Sequence, residues 1–159
     1  MRKTAELLSL AALAVLGFVT INAFYGPHPL PNRIPTHFDS LGNVNRWGSS
    51  RSLLFFPVFT VAIYLLLTLV SRFPSKFNYP VKVTELNRAQ LESMALSLLS
   101  WTKAEVLVFF VWMEYAMVQA ARDPERGLKP YPILAFVIAL FGTLFGHIVA
   151  MFRARNPAQ

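Results

Sequence analysis

The sequence predicts an all-α integral membrane protein: a four-helix bundle with a structured extracytoplasmic loop between its first two helices. Hydrophobic residues make up 55% of the 159 residues and charged residues only 14%, whereas soluble proteins carry roughly a quarter charged residues. The apolar excess lies in four runs, at 5–24, 53–70, 96–121 and 133–152. Each run is long enough to cross a hydrocarbon core of about 30 Å.

The first run begins close to the basic residues Arg2 and Lys3, as a signal sequence does. It is longer than a usual signal core and has no good small-residue cleavage site after it, so we expect an uncleaved anchor helix ending near Gly26. The chain has no cysteine, which excludes disulfides and thiolate metal sites. Its net charge is +7, but the basic residues flank the apolar runs. We therefore expect membrane lipids as partners and no nucleic acid.

The polar loop at 30–49 is the most distinctive segment of the chain. Alternate prolines before it favour an extended path, and the sequence after Phe38 is rich in turn-forming residues. The loop side chains that we expect to bind a partner are Arg33, His37, Phe38, Asp39, Arg46 and Trp47. We expect His37 and Asp39 to hydrogen-bond the loop backbone, with Arg33 or Arg46 paired to Asp39. A metal site with His28 is the weaker alternative because a fourth ligand is missing, so neither a metal nor a cofactor is predicted.

A connection at 71–93 leads into a third helix that no proline or glycine interrupts before Ala121. One helix from Thr84 to Ala121 would measure about 57 Å at 1.5 Å per residue, well beyond the bilayer. We therefore expect residues 85–101 to run along or below the cytoplasmic surface. Pro132 then starts the fourth helix. The predicted divisions are a helix-loop-helix unit at 1–70, the connection at 71–93 and a C-terminal hairpin of helices at 94–159.

Ionisable residues inside the membrane are the second group of candidates, because their burial is costly. The third span contains Lys103, Glu105 and Glu114, and the fourth contains His147. Counting depth at about 1.5 Å per residue places Lys103, Glu105 and His147 at similar levels, where they could form one polar cluster. The simpler interpretation is that Lys103 extends to the headgroups and that Glu105 pairs with it or lies close to the headgroups, while Glu114 lies at the outer interface.

Gly142 and Gly146 form a small-residue stripe on the fourth helix, which permits close helix packing within the chain or in a homodimer. Orientation depends on the Lys and Arg residues. With the N-terminus inside, eight of them lie on the cytoplasmic side, including Arg155, and six lie outside. This bias predicts that both termini are cytoplasmic.

The loop and its flanking helices resemble the family of the domain of unknown function 1648, over about residues 7–70. The matching residues are Leu30, Pro31, Ile34, Pro35, His37, Phe38, Gly42, Arg46, Trp47, Gly48 and Ser49. That domain occurs in small bacterial membrane proteins and in SdpI-type immunity proteins. The resemblance implies a bacterial inner-membrane protein with a role in immunity or envelope signalling.

Two functions follow as hypotheses. The first is a non-enzymatic membrane protein whose outer loop binds a peptide, protein or lipid partner. The second is a small transporter or carrier subunit that uses the intramembrane residues Glu105, Glu114 and His147. No catalytic residue is predicted, because the sequence contains no recognisable nucleophile or phosphate-binding motif.

Overall fold

The computed structural model describes residues 2–154, which form four long helices and one small β-sheet. The helices are α1 (Arg2–Tyr25), α2 (Phe55–Val70), α3 (Arg88–Arg122) and α4 (Tyr131–Arg153). All are long and apolar enough to cross a membrane when the 3₁₀ helix Ser50–Leu54 is counted with α2. The predicted fold class is therefore confirmed, and the chain is a multi-pass membrane protein.

The central element is α3, which packs against α1, α2 and α4, whereas α4 packs chiefly against α3. Contacts from Glu6 to Lys103 and from Thr20 to Glu114 show that α1 and α3 run in the same direction. The other two helices run the opposite way. The ends of α1 and α3 therefore lie together at one end of the bundle, near residues 26–49, which we call the hairpin end. We call the other end of the bundle, where α2 and α4 end, the opposite end.

The loop after α1 forms an antiparallel β-hairpin of β1 (Arg33–Phe38) and β2 (Val44–Ser49). The sequence predicted an ordered loop but not these strands, because Pro35 argues against one. In the structure the strand pairing is irregular between Pro35 and His37. A proline is tolerated at such a bulge because the regular ladder of hydrogen bonds is interrupted there.

The third helix includes most of residues 85–101, and their placement along or below the cytoplasmic surface stays a prediction. It begins at Arg88 and continues without a break for 35 residues, about 52 Å at 1.5 Å per residue. Leu91 of its first third packs in an apolar cluster with Val81 and Met151. This contact keeps the start of α3 alongside the end of α4. Arg155, one of the basic residues counted for orientation, lies outside the described residues, as does the end of the predicted division 94–159.

Candidate site beneath the hairpin and polar clusters in the spans

The β-hairpin is fixed to the helices at its root. Ile34 and Pro35 of β1 are fully buried, and Ile34 packs in an apolar cluster that includes Leu53. The guanidinium of Arg122, the last residue of α3, donates a hydrogen bond to the carbonyl oxygen of His28 at 3.0 Å. These contacts position the proline-rich segment and the first strand over the hairpin end of the bundle.

The turn of the hairpin rests on the link between α3 and α4. The amide of Leu128 donates a hydrogen bond to the carbonyl oxygen of Gly42 at 2.8 Å. Gly42 has a φ of 87°, and a Cβ at this position would overlap the carbonyl of Leu128. Gly127 has a φ of 59° and approaches Gly42 just as closely. Glycine is required at both positions because the two backbones meet with no room for a side chain.

Asp39 organises this turn. Its Oδ1 accepts hydrogen bonds from the amides of Leu41 and Asn43 at 2.9 and 2.8 Å. These bonds, led by that from the Asn43 amide, lower the pKa of the Asp39 carboxyl because they stabilise its ionised form. The prediction that Asp39 bonds the loop backbone is confirmed. The predicted ion pair is wrong: within residues 2–154, Asp39 forms no salt bridge with Arg33 or Arg46.

A cavity of about 420 Å³ lies beneath the turn. The hairpin contributes one wall, formed by Thr36, His37, Phe38, Asp39, Ser40 and Gly42. The helices and the α3–α4 link contribute an apolar floor, formed by Phe56, Met113, Met117, Leu128, Pro130 and Ile133. The lining is mostly apolar, and the hairpin adds a few polar side chains to it.

The structure divides the predicted loop residues into two groups. His37, Phe38 and Asp39 line the cavity. Arg33, Arg46 and Trp47 lie on the exposed surface of the hairpin, and Trp47 is 42% exposed. The second group is therefore available to headgroups or to a partner that extends beyond the cavity.

The hairpin end offers hydrogen bonds rather than a metal centre. In the part of the chain that the structure describes, no three His, Cys, Asp or Glu side chains gather into a group that could hold a metal ion. His37 Nδ1 lies 2.6 Å from Asn45 Oδ1, so this ring nitrogen donates to a side chain. The expected bond from His37 to the backbone is therefore wrong.

Lys103 belongs to a network that links α1, α2 and α3. Its Nζ donates to Glu6 Oε2 at 2.7 Å and to Thr68 Oγ1 at 3.0 Å, and lies 4.5 Å from the centre of the Tyr64 ring. The hydroxyl of Tyr64 donates to the other oxygen of Glu6 at 2.7 Å. The predicted pairing of Lys103 with Glu105, and the cluster joining both to His147, are therefore wrong. Glu6 was not among the residues predicted from the sequence, although a carboxylate early in an apolar run is itself a signal.

Glu105 and His147 instead lie along the seam between α3 and α4. The Thr143 hydroxyl donates to Glu105 Oε1, and the Thr143 carbonyl lies 2.9 Å from His147 Nδ1. His147 Nε2 lies 3.4 Å from Ser97 Oγ. The second carboxylate oxygen of Glu105 is buried and has no hydrogen-bond partner among residues 2–154. Glu105 also lines a cavity of about 260 Å³ in this seam.

Glu114 lies in a third environment. It is fully buried, and its Oε1 is 2.6 Å from the hydroxyl of Thr20 on α1. The neighbouring helix α1 covers this face of α3, and the expected level of Glu114 at the outer interface stays a prediction. Its Oε2 has no partner within the described residues. Thr20 was missed because only the packing of α1 against α3 brings the two residues together.

Gly142 and Gly146 do not pack against another helix of the same chain. A Cβ at either position would meet nothing within 4 Å in the described structure. Packing against a second copy stays a prediction for this stripe.

Comparisons with known proteins agree with these features. The family model for the domain of unknown function 1648 matches residues 12–61, which cover most of α1, the whole hairpin and the start of α2. An archaeal relative from Archaeoglobus fulgidus, described only as an uncharacterized protein, is 30% identical over 166 aligned positions. The alignment covers 96% of this chain and 89% of the relative. No solved structure matches. The chain belongs to the family of the domain of unknown function 1648.

Proposed function

We propose that this protein is a non-enzymatic membrane protein that binds a peptide or lipid partner beneath and around its β-hairpin. The observation that carries the proposal is the cavity of about 420 Å³ between the hairpin turn and the helix ends. Its size lies within the range of about 300–1,000 Å³ that is typical of ligand pockets. Immunity to a membrane-active peptide, or envelope signalling, is the role that we propose for such binding.

The lining of the cavity favours an amphipathic partner. Met113, Met117 and Phe56 offer apolar surface to an aliphatic or aromatic anchor. Asp39 and His37 at the wall supply polar groups that would orient the end of the ligand nearest water. An apolar peptide side chain with its adjoining backbone fits this pattern.

We place the protein in the cytoplasmic membrane, the inner membrane of a bacterium, with the hairpin outside and both termini inside. The support is the small excess of basic residues at the opposite end, which carries Arg2, Lys3, Arg72, Lys76, Lys82, Arg88 and Arg153, seven against six at the hairpin end. Lys and Arg residues are enriched in cytoplasmic loops. In this orientation the cavity faces partners that arrive from outside the cell.

The test is thermal unfolding of the purified full-length protein with a panel of amphipathic peptides and lysolipids. A ligand present at 100 times its Kd stabilises the folded state by about 2.7 kcal/mol, which is readily measured. The Met117→Trp variant should lose this stabilisation because the larger ring fills the floor of the cavity. Leu134→Trp is the matched control, since Leu134 is 60% exposed on α4. If a ligand stabilised Met117→Trp and the native chain equally, the cavity would not be its binding site.

A second candidate function, a small carrier, is favoured by the seam between α3 and α4. A buried carboxylate oxygen of Glu105 lacks a partner in the described structure, as does the indole Nε1 of Trp101, one helical turn away. Buried polar groups without partners are candidates for binding water or a transported solute. Glu114 faces α1 instead, so the carrier hypothesis now rests on Glu105 and His147.

Proton flux into reconstituted vesicles separates the two candidates. A carrier that uses the seam should lose flux in Glu105→Gln and in His147→Gln, while Met117→Trp should leave flux unchanged. Equal flux with and without the protein would end the carrier hypothesis and would leave the binding hypothesis standing.

A further inference from the structure

The opposite end of the molecule contains a larger cavity, of about 690 Å³. It lies between the connecting segment, defined as residues 71–87, and the facing sides of α3 and α4. Its lining is mostly apolar and consists of Val70, Phe77, Asn78, Tyr79, Pro80, Ala95, Leu98, Leu99, Thr102, Leu144, Ile148 and Met151. The cavity belongs to neither the hairpin site nor the Glu105 seam.

The connecting segment forms a fixed wall of this cavity. The Tyr79 hydroxyl donates a hydrogen bond to the carbonyl oxygen of Pro74 at 2.8 Å. Asn87 is fully buried, accepts a hydrogen bond from the Thr84 amide at 2.8 Å and donates one to the Lys82 carbonyl at 3.1 Å. The cavity is therefore enclosed by a built segment and not by a loosely placed loop.

Tyr79 is partly buried in this wall. Burial raises the pKa of Tyr79, and the charge of Glu92 adds to the effect while Arg88 opposes it. On the helix side, Leu98, Leu144 and Ile148 complete an apolar surface. Water gains few hydrogen bonds against such walls, so an apolar occupant is favoured.

The position of the cavity identifies where that occupant comes from. Val70, the last residue of α2, lines it, so the cavity lies where a membrane-spanning helix ends. Ile148 lies in the apolar part of α4 and extends the cavity along the span. Because α4 packs chiefly against α3, few contacts close the gap between α2 and α4 beside this cavity.

Three basic residues lie close in sequence to residues that line the cavity. Arg72 follows Val70 by two residues, Lys76 directly precedes Phe77, and Lys82 follows Pro80 by two residues. Residues 71–93 contain four basic and two acidic residues, for a net charge of +2. Basic groups beside a pocket between membrane helices attract anionic headgroups.

We propose that this cavity holds one acyl chain of an anionic phospholipid whose headgroup lies against Arg72, Lys76 and Lys82. The bilayer supplies this ligand, and the apolar walls and the nearby basic residues match its two parts. A lipid bound in this way would join the connecting segment to α3 and α4.

Native mass spectrometry of the full-length protein tests the acyl-chain assignment. The protein is reconstituted with equal amounts of phosphatidylglycerol and phosphatidylcholine and then extracted into mild detergent. The native chain should retain one phospholipid, and Leu98→Trp should lose it because the indole fills the cavity. Leu134→Trp, on the exposed face of α4, is the matched control. If Leu98→Trp lowers helix content, Leu144→Trp replaces it.

The same experiment tests the headgroup. Each basic residue near a membrane surface contributes about 1 kcal/mol to attraction, so the Lys76→Gln/Lys82→Gln pair should lower the preference for phosphatidylglycerol by about thirtyfold. The Arg126→Gln/Lys129→Gln pair at the hairpin end should change nothing. Three results would each overturn the proposal. The first is full retention of lipid by a folded variant whose cavity is filled, and the second is a dimer of the native chain without bound lipid. The third is an unchanged preference for phosphatidylglycerol in the Lys76→Gln/Lys82→Gln pair.

Discussion

The two ends of the molecule both close a cavity with a non-helical segment, but they hold that segment in different ways. At the hairpin end, two glycines bring the backbone of the turn directly against the α3–α4 link. At the opposite end, a buried asparagine and an apolar cluster hold the connecting segment by its side chains. A direct contact between two backbones leaves no room for an added atom, whereas a packed side chain can be replaced by another of similar volume.

The cavities differ in chemistry as well. Both cavities are mostly apolar, but His37 and Asp39 line the hairpin cavity, whereas Arg72, Lys76 and Lys82 lie close in sequence to residues that line the opposite cavity. We therefore propose a selective ligand for the first cavity and a bilayer lipid for the second. Substitutions that loosen one end and spare the other test whether the two ends are independent.

The largest expected effect is that of Gly42→Ala. The substitution places a Cβ against the Leu128 carbonyl and forces a side chain into a backbone conformation with φ of 87°. Backbone strain costs about 1–3 kcal/mol and overpacking costs about as much. We therefore expect the free energy that holds the hairpin against the helices to fall by about 4 kcal/mol. Limited proteolysis of residues 33–49 and thermal unfolding measure it.

Gly17→Ala is the matched control for this substitution. A Cβ on Gly17 meets nothing within 4 Å in the described structure, and alanine favours a helix by up to about 1 kcal/mol. If Gly42→Ala left the hairpin as resistant to protease as Gly17→Ala does, the backbone contact would not be what fixes the turn.

Lys103→Met should act on the whole bundle and not on one end, because its network joins α1, α2 and α3. Removing one partner of a buried pair costs about 3–5 kcal/mol. We expect about 3 kcal/mol, since the Glu6 side chain is 38% exposed. Unfolding in a denaturing detergent measures the loss. The double variant Glu6→Gln/Lys103→Met should recover part of it, and strictly additive losses would contradict a direct interaction.

The sequence predicted the spans well because long apolar runs fix helix position regardless of neighbours. The polar contacts were harder to predict, and Lys103 shows why. Residues two apart on a helix point about 200° apart, so Lys103 and Glu105 face different neighbours although their depths agree. Depth counting gives the level of a residue but not the side of α3 that it faces, so it grouped Lys103 with residues that it does not contact.

The contacts of the hairpin depend on long-range packing. Asp39 was read correctly as a turn residue because its partners lie within four positions of it. The contact between Gly42 and Gly127 joins residues far apart in the sequence, and the single glycine at each position gave no signal of the other. The same holds for Glu114 and Thr20, which only the parallel packing of α1 and α3 brings together.

Asn87→Leu tests the opposite end and should cost about 2 kcal/mol, because the Thr84 amide and Lys82 carbonyl lose their partner. Proteolysis within residues 71–87 should become faster while the hairpin stays protected. Asn78→Leu, at an exposed position of the same segment, serves as the control. If proteolysis became faster at both ends, the two ends would be coupled and would not be held independently.

The smallest effect is the acid dependence of the hairpin. Hydrogen bonds lower the pKa of Asp39 in the folded state, so its contribution to stability is present above the unfolded value of 3.8. That contribution is lost as the pH falls through the lower, folded value, when protonation weakens the bonds from Leu41 and Asn43. The protection of the turn amides against hydrogen exchange, measured relative to their intrinsic rates at each pH, should therefore fall in acid in the native chain, with much less change in Asp39→Asn. The connecting segment, which is held by the uncharged Asn87, should show no matching loss of protection, and an equal loss at both ends would trace the effect to the bundle as a whole.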